Sequence, residues 1–239
     1  MTTADAVRGR LGLGRLLPLG GPEDGAWLTE RAADGVLRRA AAGIAGAELG
    51  KVRLALVDPE GAGSPAVPPP PSALPPGPLA IEAEFTATAE RPLPVVADAL
   101  REALFSAATA FLELSVERVD LRVTALVDSL TNDPGAATAI APEAPADAAP
   151  TDTAGGTGGT SETGEATPAV RAAASAPGVA RLTSTLGAPV RLASDHVRVE
   201  VAIAPGSRPL AVARAVRTAV SAVLEDDRPV SVLVTDVPG

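Results

Sequence analysis

Asp195 and His196 come nearest in this chain to a catalytic pair. A carboxylate beside an imidazole can orient a general base, but the chemistry also needs a nucleophile and a geometry that aligns all three. The two stand at the start of a strand pattern, where successive side chains point to opposite faces. A pair of surface residues is therefore expected. Glu225, Asp226 and Asp227 would offer oxygen ligands to a divalent cation, yet no calcium-loop spacing surrounds them, and a solvated turn is expected. Gly43-Ile44-Ala45-Gly46 has the G-x-x-G spacing of loops that clamp a nucleic-acid backbone. Its middle residues are apolar, it has no basic flank, and it falls within a helical pattern, so it reads as a helix end or packing contact. Gly12-Leu13-Gly14 lacks the Lys-Ser/Thr and the preceding strand of a phosphate-binding loop. Glu82 with Glu84, and Arg118 with Arg122, alternate along strand patterns and should face outward, where paired charges contribute little. No catalytic, cofactor-binding or metal-binding residue is assigned, and no cofactor is expected.

The elements that would position these residues occur twice. A strand, turn and helix at about 79–108 recur at about 195–224 with no gap. Ile81, Ala83, Phe85 and Ala87 fall on Val197, Val199, Val201 and Ile203, and Glu84 falls on Glu200. In the helix, Val96, Leu100, Ala103 and Leu104 fall on Val212, Val216, Ala219 and Val220. Before the first copy, Thr29 can cap a helix in which Ala33, Val36, Leu37, Ala40, Ile44 and Ala47 recur at helical spacing, with Trp27 and Leu28 stapled onto its first turn. Val52, Leu54 and Leu56 then alternate with Lys51 and Arg53 in the manner of a strand. Residues 58–78, with nine prolines, should be an exposed, stiff connector between antiparallel strands. Val96, Leu100, Leu104, Ala107 and Phe111 form the expected buried stripe of the second helix, and a last strand covers about 117–126. The second half repeats the order in shorter form: a brief helix at 169–176, a strand from Val179, the strand of Val197, a helix capped by Ser207, and a strand of Val230, Val232 and Val234. Val123-Thr124 and Val234-Thr235 match in the two final strands.

These patterns predict an α+β protein of two related α-β-β-α-β lobes, each a small three-stranded sheet with helices on one face. The expected domains are an N-terminal arm (1–26), a first lobe (27–128), an acidic Ala/Pro/Thr/Gly linker without stable structure (129–168), and a shorter second lobe (169–239). So short a second lobe is marginal alone, since apolar burial and chain entropy nearly cancel at this size, and the two lobes should pack together.

The net charge of −9 is unevenly placed. Residues 1–127 carry 12 bases and 16 acids, residues 128–168 carry seven acids and no base, and residues 169–239 carry eight bases and six acids. No run supplies the basic face that nucleic-acid binding requires. DNA is excluded as an expected partner and RNA is disfavoured. The chain has no cysteine and one histidine, which removes disulfides, thiolate chemistry and a structural zinc site from consideration. No apolar stretch is long enough to span a membrane, and the N-terminal leucines are broken by Gly12, Gly14, Arg15 and Pro18, unlike a signal peptide. A cytoplasmic location is expected.

Residues 27–128 resemble the alkaline-shock protein family, small stress proteins of Gram-positive bacteria. The likeness lies in Leu28-Thr29-Glu30 opening an Ala-rich helix, Gly50-Lys51-Val52 entering a strand, Leu93-Pro94-Val95-Val96-Ala97 opening the second helix, and Leu114 to Thr124 as the final strand. The resemblance implies a non-enzymatic, stress- or envelope-associated scaffold that self-associates or docks through a protein partner, peripherally at the inner membrane face. The alternative is an RNA- or small-ligand-binding module that uses the groove between the two lobes. An enzyme is the third class, and no convergent set of titratable residues speaks for it.

Overall fold

The computed structural model describes residues 14–130 and 162–238, with side chains from Thr167 onward in the second stretch. Arg8, Arg10, Leu11, Gly12, Leu13 and most of the acidic linker lie outside the described residues. In chain order the elements are β1 (Leu16–Leu19), β2 (Ala26–Thr29), α1 (Glu30–Ala42), β3 (Ala47–Leu56), β4 (Leu79–Thr88), α2 (Leu93–Ser106) and β5 (Val116–Val127). There follow α3 (Glu162–Ala174), β6 (Val179–Leu182), β7 (Val190–Leu192), β8 (Val197–Ile203), α4 (Pro209–Ser221) and β9 (Val230–Asp236). The fold is α+β, as the patterns indicate.

The three-strand expectation holds for the first sheet, ordered β3-β4-β5. It fails for the second, which has six strands, ordered β1-β2-β9-β8-β6 with β7 also on β8. The difference comes from the segment read as an arm. β1 and β2 form an antiparallel hairpin, and β2 runs parallel to β9, with Ala26, Trp27 and Leu28 opposite Val232, Leu233 and Val234. Trp27 and Leu28 are therefore sheet residues and not a staple, while Thr29 does cap α1, its hydroxyl accepting from the Ala32 N–H at 3.3 Å. Period-2 alternation sorts the hairpin between two cores. Leu17, Leu19, Ala26 and Leu28 join the main core, which runs without a break through both halves. Leu16 and Trp27 face the other way and pack with Val67 and Leu233.

Val67 lies in the proline-dense connector, so that connector is a cover as well as a spacer. It does join antiparallel strands, β3 and β4. Contrary to expectation it is not a freely exposed chain: Val67, Pro70 and Pro76 are buried. The Leu74 N–H donates to Leu16 O at 2.8 Å, and Trp27 Nε1–H donates to Leu74 O at 3.3 Å. Proline suits this place because a segment crossing a sheet face needs few N–H donors.

The duplication extends to register. Ile81 and Phe85 on β4 face Val119 and Val123 on β5; Val197 and Val201 on β8 face Val230 and Val234 on β9. Each pairing then slips at the same step. At that step Thr124 and Thr235 donate to Phe85 O and Val201 O, both at 3.2 Å. The turn into the first strand is also repeated. Gly46 and Gly178 both have φ near +80° (82° and 81°), and their carbonyls accept from the Thr88 and Ala204 N–H groups at 3.0 and 2.8 Å. A Cβ at Gly178 would overlap Val212, so only glycine fits there.

Three local readings need correction. Phe111 is 65% exposed, not in the buried stripe. A π turn over Ala107–Phe111, with the Leu112 N–H donating to Ala107 O, adds a residue to the last turn and hands the buried position to Leu112. Ser207 is not the cap of α4: Arg208 holds that position without a side-chain cap, and Pro209 supplies the pre-set first turn. The helix expected at 169–176 begins earlier, at Glu162, within the stretch read as linker.

Asp24 fastens the β1–β2 turn to α4. Its carboxylate accepts from Arg214 Nε at 2.6 Å and Nη2 at 3.0 Å, and from the Gly21 N–H at 2.8 Å. The Arg214 bonds hold its pKa below the ordinary 3.8, against the opposing effect of burial. A carboxylate depressed in the folded state stabilises the fold above its unfolded pKa and loses that contribution as pH falls through the folded value. Urea unfolding of wild type and Asp24→Asn should therefore differ by a constant amount above about pH 5, with the gap closing below 3.8. A gap that widens in acid would contradict this arrangement.

Candidate interaction site

Four aromatic side chains serve the whole chain: Trp27, Phe85, Phe105 and Phe111. The first two are buried, whereas Phe105 is 41% and Phe111 65% exposed. Phe105 stands on the solvent side of α2, six residues before Phe111. The π turn that displaces Phe111 from the core presents it beside α1. There Val36, Arg39, Ala40, Ala107 and Phe111 line an apolar hollow of about 240 Å³. Arg39 also donates to Val237 O at 3.3 Å, which ties the rim of the hollow to the end of β9. An exposed phenylalanine beside an apolar recess with an arginine at its rim has the composition of a binding hot spot. The sequence carries Phe111 at core spacing, so this surface was not legible from it.

The residues singled out by type behave mostly as surface groups. Asp195 and His196 do meet, Oδ1 to Nδ1 at 2.8 Å, because they sit in the turn before β8 and not within the strand. The hydrogen bond from His196 holds the Asp195 carboxyl below its ordinary range. The contact is local, between neighbours in sequence. Glu225, Asp226 and Asp227 are exposed, with Asp226 bonded to Arg228 Nε at 2.8 Å and its pKa lowered by that bond. Among the described residues no group of three or more potential ligands could hold a metal ion. Gly43 ends α1 and Gly46 turns the chain into β3, as the helix-end reading holds. Of Gly12-Leu13-Gly14, only Gly14 is described.

The outer face of the first sheet carries Lys51, Arg53, Glu82, Glu84, Asp120 and Arg122 around an open hollow of about 340 Å³. Arg122 reaches Glu84 at 3.9 Å, and Arg118 pairs with Asp120 at 2.7 Å. Acids and bases alternate, so the face lacks the unbroken positive stripe that a phosphate backbone requires. A cleft of about 450 Å³ lies between Arg31 at the start of α1 and Arg181, Thr183, Thr185 and Thr235 of the second sheet. Asp236 pairs with Arg181 at 3.2 Å, which neutralises one of the cleft's two cations.

Sequence reasoning also missed a buried ion pair. Arg198 and Glu200 lie on the outer side of β8, which alternation assigns to solvent, but residues 183–189 fold over them. Glu200 is fully buried and accepts from the Thr185 N–H at 2.7 Å and the Leu186 N–H at 3.0 Å, with Arg198 Nη2 at 3.3 Å. Burial pushes the Glu200 carboxyl up and the Arg198 guanidinium down.

No family model matches this chain, and no curated protein matches it. Solved structures of MamM CTD variants are similar to it at low level. One is 14% identical, covers 40% of this chain and 94% of that chain, with a TM-score of 0.26. Another is 13% identical and covers 40% and 98%, also at 0.26. A likeness at that score supports no inference about activity. Among the described residues no helix is long and apolar enough to cross a membrane.

Proposed function

We propose that this protein is a non-enzymatic scaffold that acts through protein–protein contacts. One observation carries the reading: half of the chain's few aromatic side chains are spent on the surface, at Phe105 and Phe111, and Phe111 lines a recess floored by α1. Burying a phenylalanine is worth about 1.5–3 kcal/mol, so an exposed pair in an aromatic-poor chain is matched by a partner that covers it. The stress- or envelope-associated setting, at the inner membrane face, rests on the alkaline-shock resemblance of residues 27–128. The cleft at Arg31 and Arg181 does less for the ligand alternative, because Asp236 already occupies Arg181.

The test uses the full chain, immobilised and challenged with native lysate. Phe105→Ser/Phe111→Ser should lose the proteins that wild type retains, while its unfolding midpoint stays close to wild type, since exposed substitutions shift stability by only about 0.5 kcal/mol. A double variant that retains every protein captured by wild type would remove the basis of this reading.

A further inference from the structure

The two sheets are built alike but finished differently at one edge. In the second sheet, β9 lies between β8 and β2, with α1 packed on it. Its inner-face Val230, Val232 and Val234, and Val237 just past its end, are at most 6% exposed. The equivalent strand of the first sheet is β5, where Val119, Leu121, Val123 and Leu126 hold the matching positions. Among the described residues β5 has β4 on one side and no strand on the other. Its exposure climbs accordingly, from 7% at Val119 to 37% at Val123 and 60% at Leu126.

The opposite edge of the same sheet is managed. On β3, the Leu54 N–H donates to Glu30 Oε1 at 3.3 Å, Arg15 donates to Leu54 O, and Arg38 donates to Leu49 O at 3.1 Å. β5 is covered more lightly: among the described residues one such bond reaches its backbone, from Arg101 Nε to Val119 O at 3.4 Å, and the twelve-residue strand has charges at Glu117, Arg118, Asp120 and Arg122 but no proline or lysine. Folded proteins rarely leave an edge of that length so lightly covered.

We propose that a second copy of this chain occupies the β5 edge, the two β5 strands pairing antiparallel about a two-fold axis at Leu121. The proposal rests on the protein-contact reading and names the partner and the surface. Self-complementarity selects this occupant. With Leu121 on the axis, Asp120 faces the partner's Arg122, and Arg122 faces the partner's Asp120. On the inner face Val119 meets the partner's Val123, and Leu121 meets its own copy. The neighbouring registers are worse. An axis at Asp120 sets two aspartates opposite each other and Arg118 against the partner's Arg122; an axis at Arg122 sets two arginines together. A one-residue slip would turn apolar side chains against charged ones. Arg122 is available, since its side chain is 80% exposed and its own pair with Glu84 is long at 3.9 Å, and Asp120, 53% exposed, would share its carboxylate between Arg118 and the partner's Arg122. The product is one continuous sheet of six strands, β3-β4-β5 joined to the same three in the partner.

The full chain should elute in light scattering at twice 23.7 kDa. Asp120→Arg alone and Arg122→Asp alone should each raise the dimer dissociation constant about tenfold or more, because the two-fold axis duplicates every like-charge contact. The double variant Asp120→Arg/Arg122→Asp should restore it, a rescue that general damage to folding would not give. Directly opposed residues in an antiparallel pair have Cα atoms about 4.5–5.5 Å apart, within disulfide range. In this cysteine-free chain, Leu121→Cys should therefore oxidise to a covalent dimer, and Glu82→Cys on the central strand should not. A 23.7 kDa species at 100 µM overturns the proposal. So does a dimer indifferent to the charge variants whose Leu121→Cys stays uncrosslinked. A monomer whose lysate partners still depend on Phe105 and Phe111 would sink this inference while leaving the wider reading standing; a dimer with no such dependence would do the reverse.

Discussion

Residues 162–239 expressed alone should show no cooperative unfolding transition, and co-expression with residues 1–130 should restore one. The reason is β9. In the whole chain it is a central strand, paired with β8 on one side and β2 on the other. Without the N-terminal hairpin, β9 becomes an unprotected edge lined with valine. Leu233 loses Trp27, Leu16 and Val67 on the outer face. On the inner face Val232 and Val234 lose Leu28 and the α1 residues Ala33 and Leu37 that share their core. A domain of this size has little margin, because apolar burial barely exceeds the conformational entropy that opposes it. The hairpin supplies what is missing, and it comes from the far end of the chain. A chain cut between 130 and 162 keeps every strand pairing described here, so the two pieces should co-purify and melt as one. Circular dichroism against urea reads the outcome. A monomeric fragment of 162–239 with a sharp transition would show that the hairpin is dispensable.

That dependence was only half legible in the sequence. The duplicated strand and helix were visible because both copies use the same positions without a gap, and the registers Phe85–Val123 and Val201–Val234 agree with it. The cap at Thr29 was legible because capping is a local matter. β1 and β2 were not, being four residues each, too short for alternation to declare itself. Pairing Trp27 with Leu233 joins positions at opposite ends of the chain, and no local pattern encodes that contact. The surface site failed for a different reason. Helical periodicity assumes a fixed turn, and the π turn at Ala107–Phe111 breaks the phase among small residues that give no warning. The burial of Glu200 was not legible because alternation reports which face a side chain takes, but not whether another segment later covers that face.

Glu200→Leu should lose about 3–5 kcal/mol of stability, the cost of leaving one partner of a buried ion pair uncompensated. Arg198 would remain buried with Leu186 O at 3.1 Å as its acceptor, and its Nε already has no partner. The Thr185 and Leu186 N–H groups, which end on the Glu200 carboxylate, would lose their acceptor as well. Arg198→Met/Glu200→Leu should recover part of the loss, since the stranded charge is gone while the two N–H groups stay unpaired. The double-mutant cycle in urea should thus show strong coupling, and additive effects each below about 1 kcal/mol would mean that the pair is solvated. The pH dependence has its own sign. Burial raises the folded-state pKa of Glu200 above its unfolded 4.5, so the native state holds the proton longer than the unfolded chain does. The contribution of this group is full below 4.5 and falls as pH rises through the folded value. Glu200→Gln cannot titrate, so its stability relative to wild type should improve as pH climbs through that window, opposite in direction to the pH response of Asp24→Asn. The covering loop and the buried pair stand or fall on that difference.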